Sequence, residues 1–281
     1  MHTFHTPSPI RLRVELWEGS ITVLADQTDT TTVELEPEGG GDTSAAQDLI
    51  DRTTVEQRGD EVVVLQPRVK GGLFRRGFRV RATIRVPLTS SAKLESGSAD
   101  IETRGELGDV RAASGSGDVH LERTADAEVR TGSGDITLDT VTGSCGTKSG
   151  SADVVIGSVA GDAGVVTGSG DVVINSVSGT LNVKSGSGDV VVKSGGDGVD
   201  ALAGSGDLMV RRVDHGRVKA KTGSGDISIG VADGTSAYLD VMTTSGDVRS
   251  DLNGSEAPPD GDQRVEIQVL SGSGDVVLQR A

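Results

Sequence analysis

The tetrapeptide Gly-Ser-Gly-Asp and its close variants recur through the last two thirds of the chain at a spacing near eighteen residues. The repeated aspartates are Asp100, Asp118, Asp135, Asp153, Asp171, Asp189, Asp207, Asp226, Asp247 and Asp275. A fixed short period is typical of solenoids, in which each coil stacks on the last and buries its apolar side chains in a shared core. The repeat therefore constrains the architecture before any single residue is considered.

Within one repeat, apolar residues stand one, three, six, ten and twelve positions after the aspartate. In the repeat that begins at Asp171 these residues are Val172, Ile174, Val177, Leu181 and Val183. Such alternation, broken by Gly, Ser and Asp, predicts short strands joined by tight turns, and helical spacing is absent. We therefore expect an all-β parallel β-solenoid, or β-helix, with about 18 residues per coil. Further Gly-Asp pairs at the half-turn favour a flattened two-sheet coil, and a three-sided coil is the alternative.

The recurring glycines and aspartates have a structural interpretation. Glycine supplies positive φ at turns, and an aspartate can accept a hydrogen bond from a backbone N–H two residues on. Stacked carboxylates would repel one another unless turn N–H groups or a cation held them. We favour the turn N–H groups. Calcium is the minor alternative, because the motif Gly-x-Gly-Asp-Val differs from the calcium-binding Gly-Gly-x-Gly-x-Asp.

The composition changes near residue 90. Four of the five aromatic residues lie in the first 80 positions, at Phe4, Trp17, Phe74 and Phe78. We interpret residues 1–90 as a β-strand segment that caps or starts the solenoid, and 91–281 as the repeat, together one continuous domain. Strands are expected at 10–16, 20–25, 31–35, 61–66 and 77–86. Residues 265–278 should close the last coil, at the end opposite the cap.

Nothing in the chain has the pattern of a catalytic or metal site. The histidines are scattered, no pair of carboxylates stands apart from the repeat, and Cys145 occupies an inward position that suits a core thiol. We therefore predict a protein that is not an enzyme and has no cofactor. The net charge of −15 and the shortage of aromatics disfavour nucleic acid as a partner. Without an apolar leader or a long apolar run, no membrane span is expected and the location is predicted to be cytoplasmic.

Two surface features are candidate binding sites. The first is a strip of apolar residues at an outward position of four successive coils: Val155, Val173, Val191 and Met209. Contiguous exposed apolar surface often marks an interaction site. The alternative is that β-branched residues simply favour strands there.

The second candidate is a basic strand that could bind phosphate, anionic lipid or the acidic face of a second molecule. Its residues are Arg75, Arg76, Arg79, Arg81 and Arg85. The alternative is a solvated strand face whose arginines pair with Glu34, Glu36 or Glu61.

The serial Ser-Gly-Ser-Gly-Asp-Val segments at 114–119 and 271–276, the lead-in at 10–24 and Ile84-Arg-Val-Pro87 carry a family resemblance. Over essentially its whole length the chain resembles a bacterial β-strand-repeat family of unknown function that is labelled "putative adhesin". The resemblance implies a β-solenoid without established catalytic residues, and some relatives are associated with cell-envelope stress modules.

Together these observations predict a non-enzymatic scaffold or protein-interaction module that binds a protein partner or copies of itself. A surface-exposed adhesin is the alternative, and a polysaccharide-active β-helix enzyme is the third interpretation.

Overall fold

The computed structural model describes residues 1–39, 43–68, 79–252 and 264–281. These residues form two compact units, Met1–Val141 and Thr142–Ala281. In each unit the strands belong to two sheets, and most neighbouring strands within a sheet are parallel. The all-β class and the two-sheet coil are thereby confirmed. The proposed boundary near residue 90 stays a prediction.

The N-terminal unit contains thirteen described strands and one helix. Its elements are β1 (His2–His5), β2 (Arg11–Leu16), β3 (Gly19–Asp26), β4 (Thr30–Glu38), α1 (Thr43–Asp51), β5 (Thr54–Arg58), β6 (Glu61–Leu65), β7 (Arg79–Pro87), β8 (Ser91–Ser96), β9 (Asp100–Leu107), β10 (Val110–Ser114), β11 (Val119–Thr124), β12 (Ala127–Thr131) and β13 (Ile136–Val141). One sheet has the order β1-β4-β7-β3-β9-β11-β13, and the other has the order β5-β6-β2-β8-β10-β12. The five strands expected before residue 90 are found, with bounds that differ by at most three residues from those expected. Gly77 and Phe78, expected at the start of the fifth strand, lie outside the described residues.

The C-terminal unit contains fourteen described strands. They are β14 (Cys145–Ser151), β15 (Val154–Val159), β16 (Ala163–Ser169), β17 (Val172–Val177), β18 (Thr180–Ser187), β19 (Val190–Ser194), β20 (Gly198–Ser205), β21 (Leu208–Val213), β22 (Gly216–Ser224), β23 (Ile227–Val231), β24 (Ser236–Ser245), β25 (Val248–Ser250), β26 (Arg264–Ser273) and β27 (Val276–Arg280). One sheet, here called sheet A, has the order β15-β17-β19-β21-β23-β27-β25. The facing sheet B has the order β14-β16-β18-β20-β22-β26-β24.

The period-two pattern places the same side chain of each coil at the same point of the core. Val172 aligns with Val154 on one side and with Val190 on the other, and all three are almost completely buried. On the facing sheet Val183 aligns with Val165 and is equally buried. Burying these methyl groups stabilises each coil by roughly 1.5–3 kcal/mol per side chain. The inward positions inferred from the repeat are therefore correct.

The expectation that helical spacing is absent was wrong at one place. The helix α1 spans nine residues and buries Ala46 and Leu49, which are three positions apart and so share one helical face. It packs against β4 and β7. Its apolar pattern is short and falls outside the repeat, which is why the period-two signal did not reveal it.

The expectation that residues 265–278 form the terminal coil was also wrong. The strands β26 and β27 lie inside their sheets, between β22 and β24 and between β23 and β25 respectively. The outermost coil, formed by β24 and β25, therefore comes earlier in the sequence than β26 and β27, which lie between it and the coil formed by β22 and β23. Val265 and Ile267 are fully buried there. A strand inside the sheet has a neighbouring strand on each side, so its inward side chains are more completely buried than those of an edge strand. The inner position is therefore more favourable for the segment with the larger apolar side chains.

Candidate functional site

The aspartate ladder of the C-terminal unit is formed by the aspartates of the Gly-Asp turns. From Asp153 to Asp275, each carboxylate accepts a hydrogen bond from the backbone N–H of the next aspartate in the stack, and Asp247 ends the ladder. The Asp207 N–H donates to Asp189 Oδ1 at 2.8 Å, and the Asp189 N–H donates to Asp171 Oδ1 at 2.9 Å. The partner was expected two residues on in the same turn, and it lies instead in the neighbouring coil. It is there because each side chain points along the stack, where strands are about 4.8 Å apart.

The other residues of the motif also have structural tasks. In the N-terminal unit the Gly117 N–H donates to Ser114 Oγ at 2.8 Å, and the Gly134 N–H donates to Thr131 Oγ1 at 2.9 Å. A glycine precedes eight of the ten repeat aspartates, Asp100 and Asp153 being preceded by alanine, and these glycines approach the neighbouring coil very closely. At Gly188, where φ is +125°, a Cβ would stand 2.3 Å from a backbone carbonyl oxygen. Only glycine fits that position, so the motif is explained by the turn itself.

The turn hydrogen bonds supply the ladder carboxylates from Asp153 to Asp275 with a donor. In the described part of the chain, no group of three or more His, Cys, Asp or Glu side chains is arranged to hold a metal ion. Calcium at the turns stays the minor alternative, and the two interpretations make different predictions for an Asp-to-Asn exchange.

The apolar strip of Val155, Val173, Val191 and Met209 lies on the outer face of sheet A. The four residues are direct neighbours in register across β15, β17, β19 and β21. Val155 is 40% exposed and Met209 is 38% exposed, and the two central valines are half-buried. The structure therefore brings the four predicted residues together as one contiguous surface.

Charged groups of opposite sign border the apolar strip. On one side stand exposed carboxylates of the aspartate ladder, including Asp189 and Asp207. On the other side, two residues beyond the strip, stand exposed Lys193 and Arg211. A partner that covers the strip thus meets a negative border and a positive border.

A second outward row, which we call the lysine row, lies on sheet B and was not predicted. Lysine alternates with an apolar side chain over its first six members, and the seventh is again apolar. The members in spatial order are Lys148, Val166, Lys184, Leu202, Lys221, Leu270 and Met242. Val166 and Leu202 are 42% and 44% exposed. The signal was present in the sequence, because the first four stand thirteen residues after successive repeat aspartates.

The basic strand is β7, and the structure places three of its predicted arginines there. Arg79 and Arg81 each approach Glu38 at 3.2 Å, and Arg85 approaches Asp26 at 3.6 Å. The acidic partners therefore differ from the glutamates that the sequence suggested. Arg75 and Arg76 lie outside the described residues. An anion from solution would have to compete with carboxylates that are already in place.

The environment of Glu38 explains its role in that cluster. Burial raises the pKa of the carboxyl, but hydrogen bonds from Ser20, Arg79 and Arg81 outweigh burial and hold the pKa below its usual value. The Glu38 side chain is only 15% exposed. This strand is thus held by a carboxylate that stays ionised in neutral solution, and the anion-binding role stays a prediction.

Residues that often serve in catalysis occupy structural or exposed positions here. Burial raises the pKa of the Cys145 thiol to about 11, so it is protonated in neutral solution. His215 pairs with Asp214 and Asp197, and these hydrogen bonds raise its pKa. His120 lies 3.1 Å from Asp139, exposed on the N-terminal unit. Within the described ranges, no helix is both long and apolar enough to cross a bilayer.

Comparison with protein families gives one description, Toastrack DUF4097, whose profile matches residues 11–279. Comparison with curated proteins gives no match. Among solved structures, a "putative lipid binding protein" from Parabacteroides distasonis is 13% identical, with a TM-score of 0.41 over 98% of this chain and 95% of that one. A "putative adhesin" from the same organism is 15% identical, with a TM-score of 0.36 over 98% and 95%. A "putative cell adhesion protein" from Clostridium sporogenes is 10% identical, with a TM-score of 0.25 over 99% and 94%.

Proposed function

The chain belongs to the Toastrack DUF4097 family, whose profile matches residues 11–279, and we propose that it is a non-enzymatic scaffold that binds a protein partner through the apolar strip on sheet A. One observation carries this proposal. Val155, Val173, Val191 and Met209 form one contiguous row on an outward face, where soluble proteins usually place polar side chains.

The borders of the strip define the kind of partner. Apolar contact at the centre supplies affinity, and the charged borders fix orientation. The partner should therefore present an apolar row between a basic row that meets the aspartate ladder and an acidic row that meets Lys193 and Arg211. Neither border has the aromatic platforms that sugar-binding grooves usually carry.

The absence of a catalytic role is part of the same proposal. The repeated carboxylates accept turn hydrogen bonds, and the one thiol is buried and protonated. A catalytic acid and base need environments that separate their pKa values. Turnover of an acidic polysaccharide by the purified protein would refute this part.

The test is a double variant, Val173→Lys with Val191→Lys, compared with the wild type. Both side chains point outward, so the variant should fold with an unchanged circular dichroism spectrum. Affinity capture from the native cell, followed by mass spectrometry, should recover a protein with the wild type and lose it with the variant.

The matched control is Thr180→Lys with Asn182→Lys, which adds the same two charges on the exposed outer face of β18 in sheet B. The control should retain the captured protein. Equal capture by all three proteins would refute the strip as the binding surface. Location of the protein on the cell surface, together with glycan binding, would favour the adhesin instead.

A further inference from the structure

The coil formed by β24 and β25 is more exposed than the coils behind it. Its inward residues Leu239 and Val241 are half-buried, and Val248 is 48% exposed. The residues aligned with these three on the next strands are Ile267, Val269 and Val276, and all are buried. Tyr238 and Met242, on the outer face of β24, are 59% and 62% exposed. Apolar exposure in the C-terminal unit is therefore greatest at this coil.

In the described part of the chain, β24 and β25 each have a partner strand on one side only. Among the described residues, β24 pairs only with β26, and β25 pairs only with β27. The ten residues of β24, Ser236–Ser245, contain one charge, at Asp240, and neither lysine nor proline. Proteins usually protect an edge strand with charged residues, above all lysine, with proline, or with a covering helix.

We propose that the β24/β25 edge is the interface of a two-fold homodimer, in which the occupant is the same edge of a second copy. A two-fold axis perpendicular to the sheets reverses strand direction, so each strand meets its own copy in antiparallel pairing and both sheets continue across the interface. This edge is distinct from the apolar strip on sheet A, and the dimer does not depend on the proposed function.

The sequence selects the register of the pairing. Side chains opposite one another must share a face, and a centre on Asp240 would oppose two like charges. A centre on Val241 avoids this, because it pairs Val241 with itself and places Asp240 opposite Met242 of the second copy. In β25 the equivalent centre is Ser250. Thr243 and Val248 are the inward residues nearest the turn at 246–247, and Val241 and Ser250 are the next inward residues on either side of it.

That centre also matches charges on the second strand pair. With Ser250 on the axis, Arg249 of each copy stands opposite Asp251 of the other, and Val248 stands opposite Leu252. In the single chain Arg249 approaches Asp247 at 3.5 Å, and its side chain is 69% exposed. The dimer thus supplies two cross-copy ion pairs on the outer face of sheet A.

The area of the coil end fits a weak, concentration-dependent dimer. The ten residues of β24 measure about 34 Å, residues 248–252 measure about 17 Å and the two sheets are about 10 Å apart, so the end with its side chains covers roughly 450 Å² on each copy. Together the two copies bury about 900 Å², the size of a weak or transient interface. A nine-residue overlap of β24 with its copy adds about eight backbone hydrogen bonds.

The experiment is sedimentation equilibrium of the full chain over a wide range of concentrations, with three charge variants. The wild type should change from the monomer mass to twice that mass. Met242→Asp opposes Asp240 of the second copy twice, and Arg249→Asp opposes Asp251 twice, so each should weaken the dimer by about tenfold. The double variant Arg249→Asp with Asp251→Arg should restore it. All these side chains are exposed, so folding should not change.

The matched control is Leu202→Asp, an exposed apolar residue on the outer face of β20. This control should dimerise like the wild type. A wild type that stays monomeric at every concentration would overturn the proposal. So would a dimer that tolerates Met242→Asp and Arg249→Asp but dissociates on Val173→Lys, because association would then occur at the apolar strip.

Discussion

Replacing one carboxylate of the aspartate ladder tests whether the turn hydrogen bonds or bound calcium ions stabilise the stacked aspartates. Asp189 is the best position, because its Oδ1 accepts from the Asp207 N–H at 2.8 Å and its own N–H donates to Asp171. Asp189→Ala removes the acceptor and leaves the Asp207 N–H without it. Asp189→Asn keeps an oxygen at the same place and removes only the charge.

The two substitutions should differ in stability. A hydrogen bond to a charged group contributes about 1.5–3 kcal/mol. Asp189 has a ladder carboxylate on each side. Each pair at strand spacing repels by about 0.9 kcal/mol in water, and salt reduces this to roughly half, so the two pairs together repel by about 0.9 kcal/mol. Relief of the repulsion therefore offsets only part of the lost bond, and we expect Asp189→Ala to lower the free energy of unfolding by about 1 kcal/mol. Asp189→Asn keeps a neutral bond and gains the same relief, so it should stay within about 0.5 kcal/mol of the wild type.

Urea unfolding followed by circular dichroism, with either chelator or calcium present, measures both differences. The control is Asp233→Ala, which removes an exposed carboxylate outside the ladder and should have little effect. Calcium should not change the midpoint of any of these proteins. If Asp189→Asn were as damaging as Asp189→Ala, and calcium raised the stability of the wild type alone, the turns would be calcium sites and the hydrogen-bond explanation would be refuted.

Three further results are expected. Gly206→Ala should lower the free energy of unfolding, measured with urea, by about 3 kcal/mol, because φ is +128° and the new Cβ would lie 2.4 Å from a carbonyl oxygen of the adjacent coil. A loss below about 1 kcal/mol would contradict this steric explanation. The pKa of His215 is raised by Asp214 and then Asp197, so its protonated form stabilises the fold below the unfolded pKa and this contribution disappears as pH rises through the folded pKa. His215→Gln should therefore cost about 0.5 kcal/mol at acidic pH and nothing at alkaline pH, and an equal cost at both would exclude the ion pairs. Because burial raises the pKa of Cys145 to about 11, iodoacetamide should label the native protein far more slowly than the urea-unfolded protein, and equal rates would show that the thiol is accessible.

The geometry within a coil could be predicted from the sequence because the repeat is local. Alternation of Val172, Ile174 and their equivalents fixes which side chains point inward, and a constant period keeps the equivalent residues of neighbouring coils in register. The same reasoning placed Val173 beside Val191 on the outer face, as the structure has them. The helix α1 escaped because its pattern occurs once and is not supported by repetition.

Contacts between segments that are distant in sequence could not be predicted in the same way. Arg79 lies beside Glu38 because β4 is antiparallel to β7, and nothing in either strand specifies that register by itself. The aspartate hydrogen bonds were assigned to the wrong donor for a related reason. An aspartate followed by a turn can accept a hydrogen bond within its own turn or from the neighbouring coil, and the sequence is the same in both cases. The positions of the stacked strands show that the donor is in the neighbouring coil.

The order of the last two coils shows how burial decides where the repeat alone leaves a choice. Residues 236–250 and 264–280 have the same alternation, and either could have been outermost. At two inward positions, however, the outer coil has Ala237 and Ser250 where the inner coil has Val265 and Leu278. Exposing the smaller or polar residues costs less, so this choice is the more stable one for a single chain. Leu239, together with the other apolar residues of that coil, still loses part of its burial. A coil inside the stack is covered by a neighbouring coil on each side, whereas the β24/β25 coil is covered on one side. Contact with a second copy at this edge would cover the other side and bury these apolar residues.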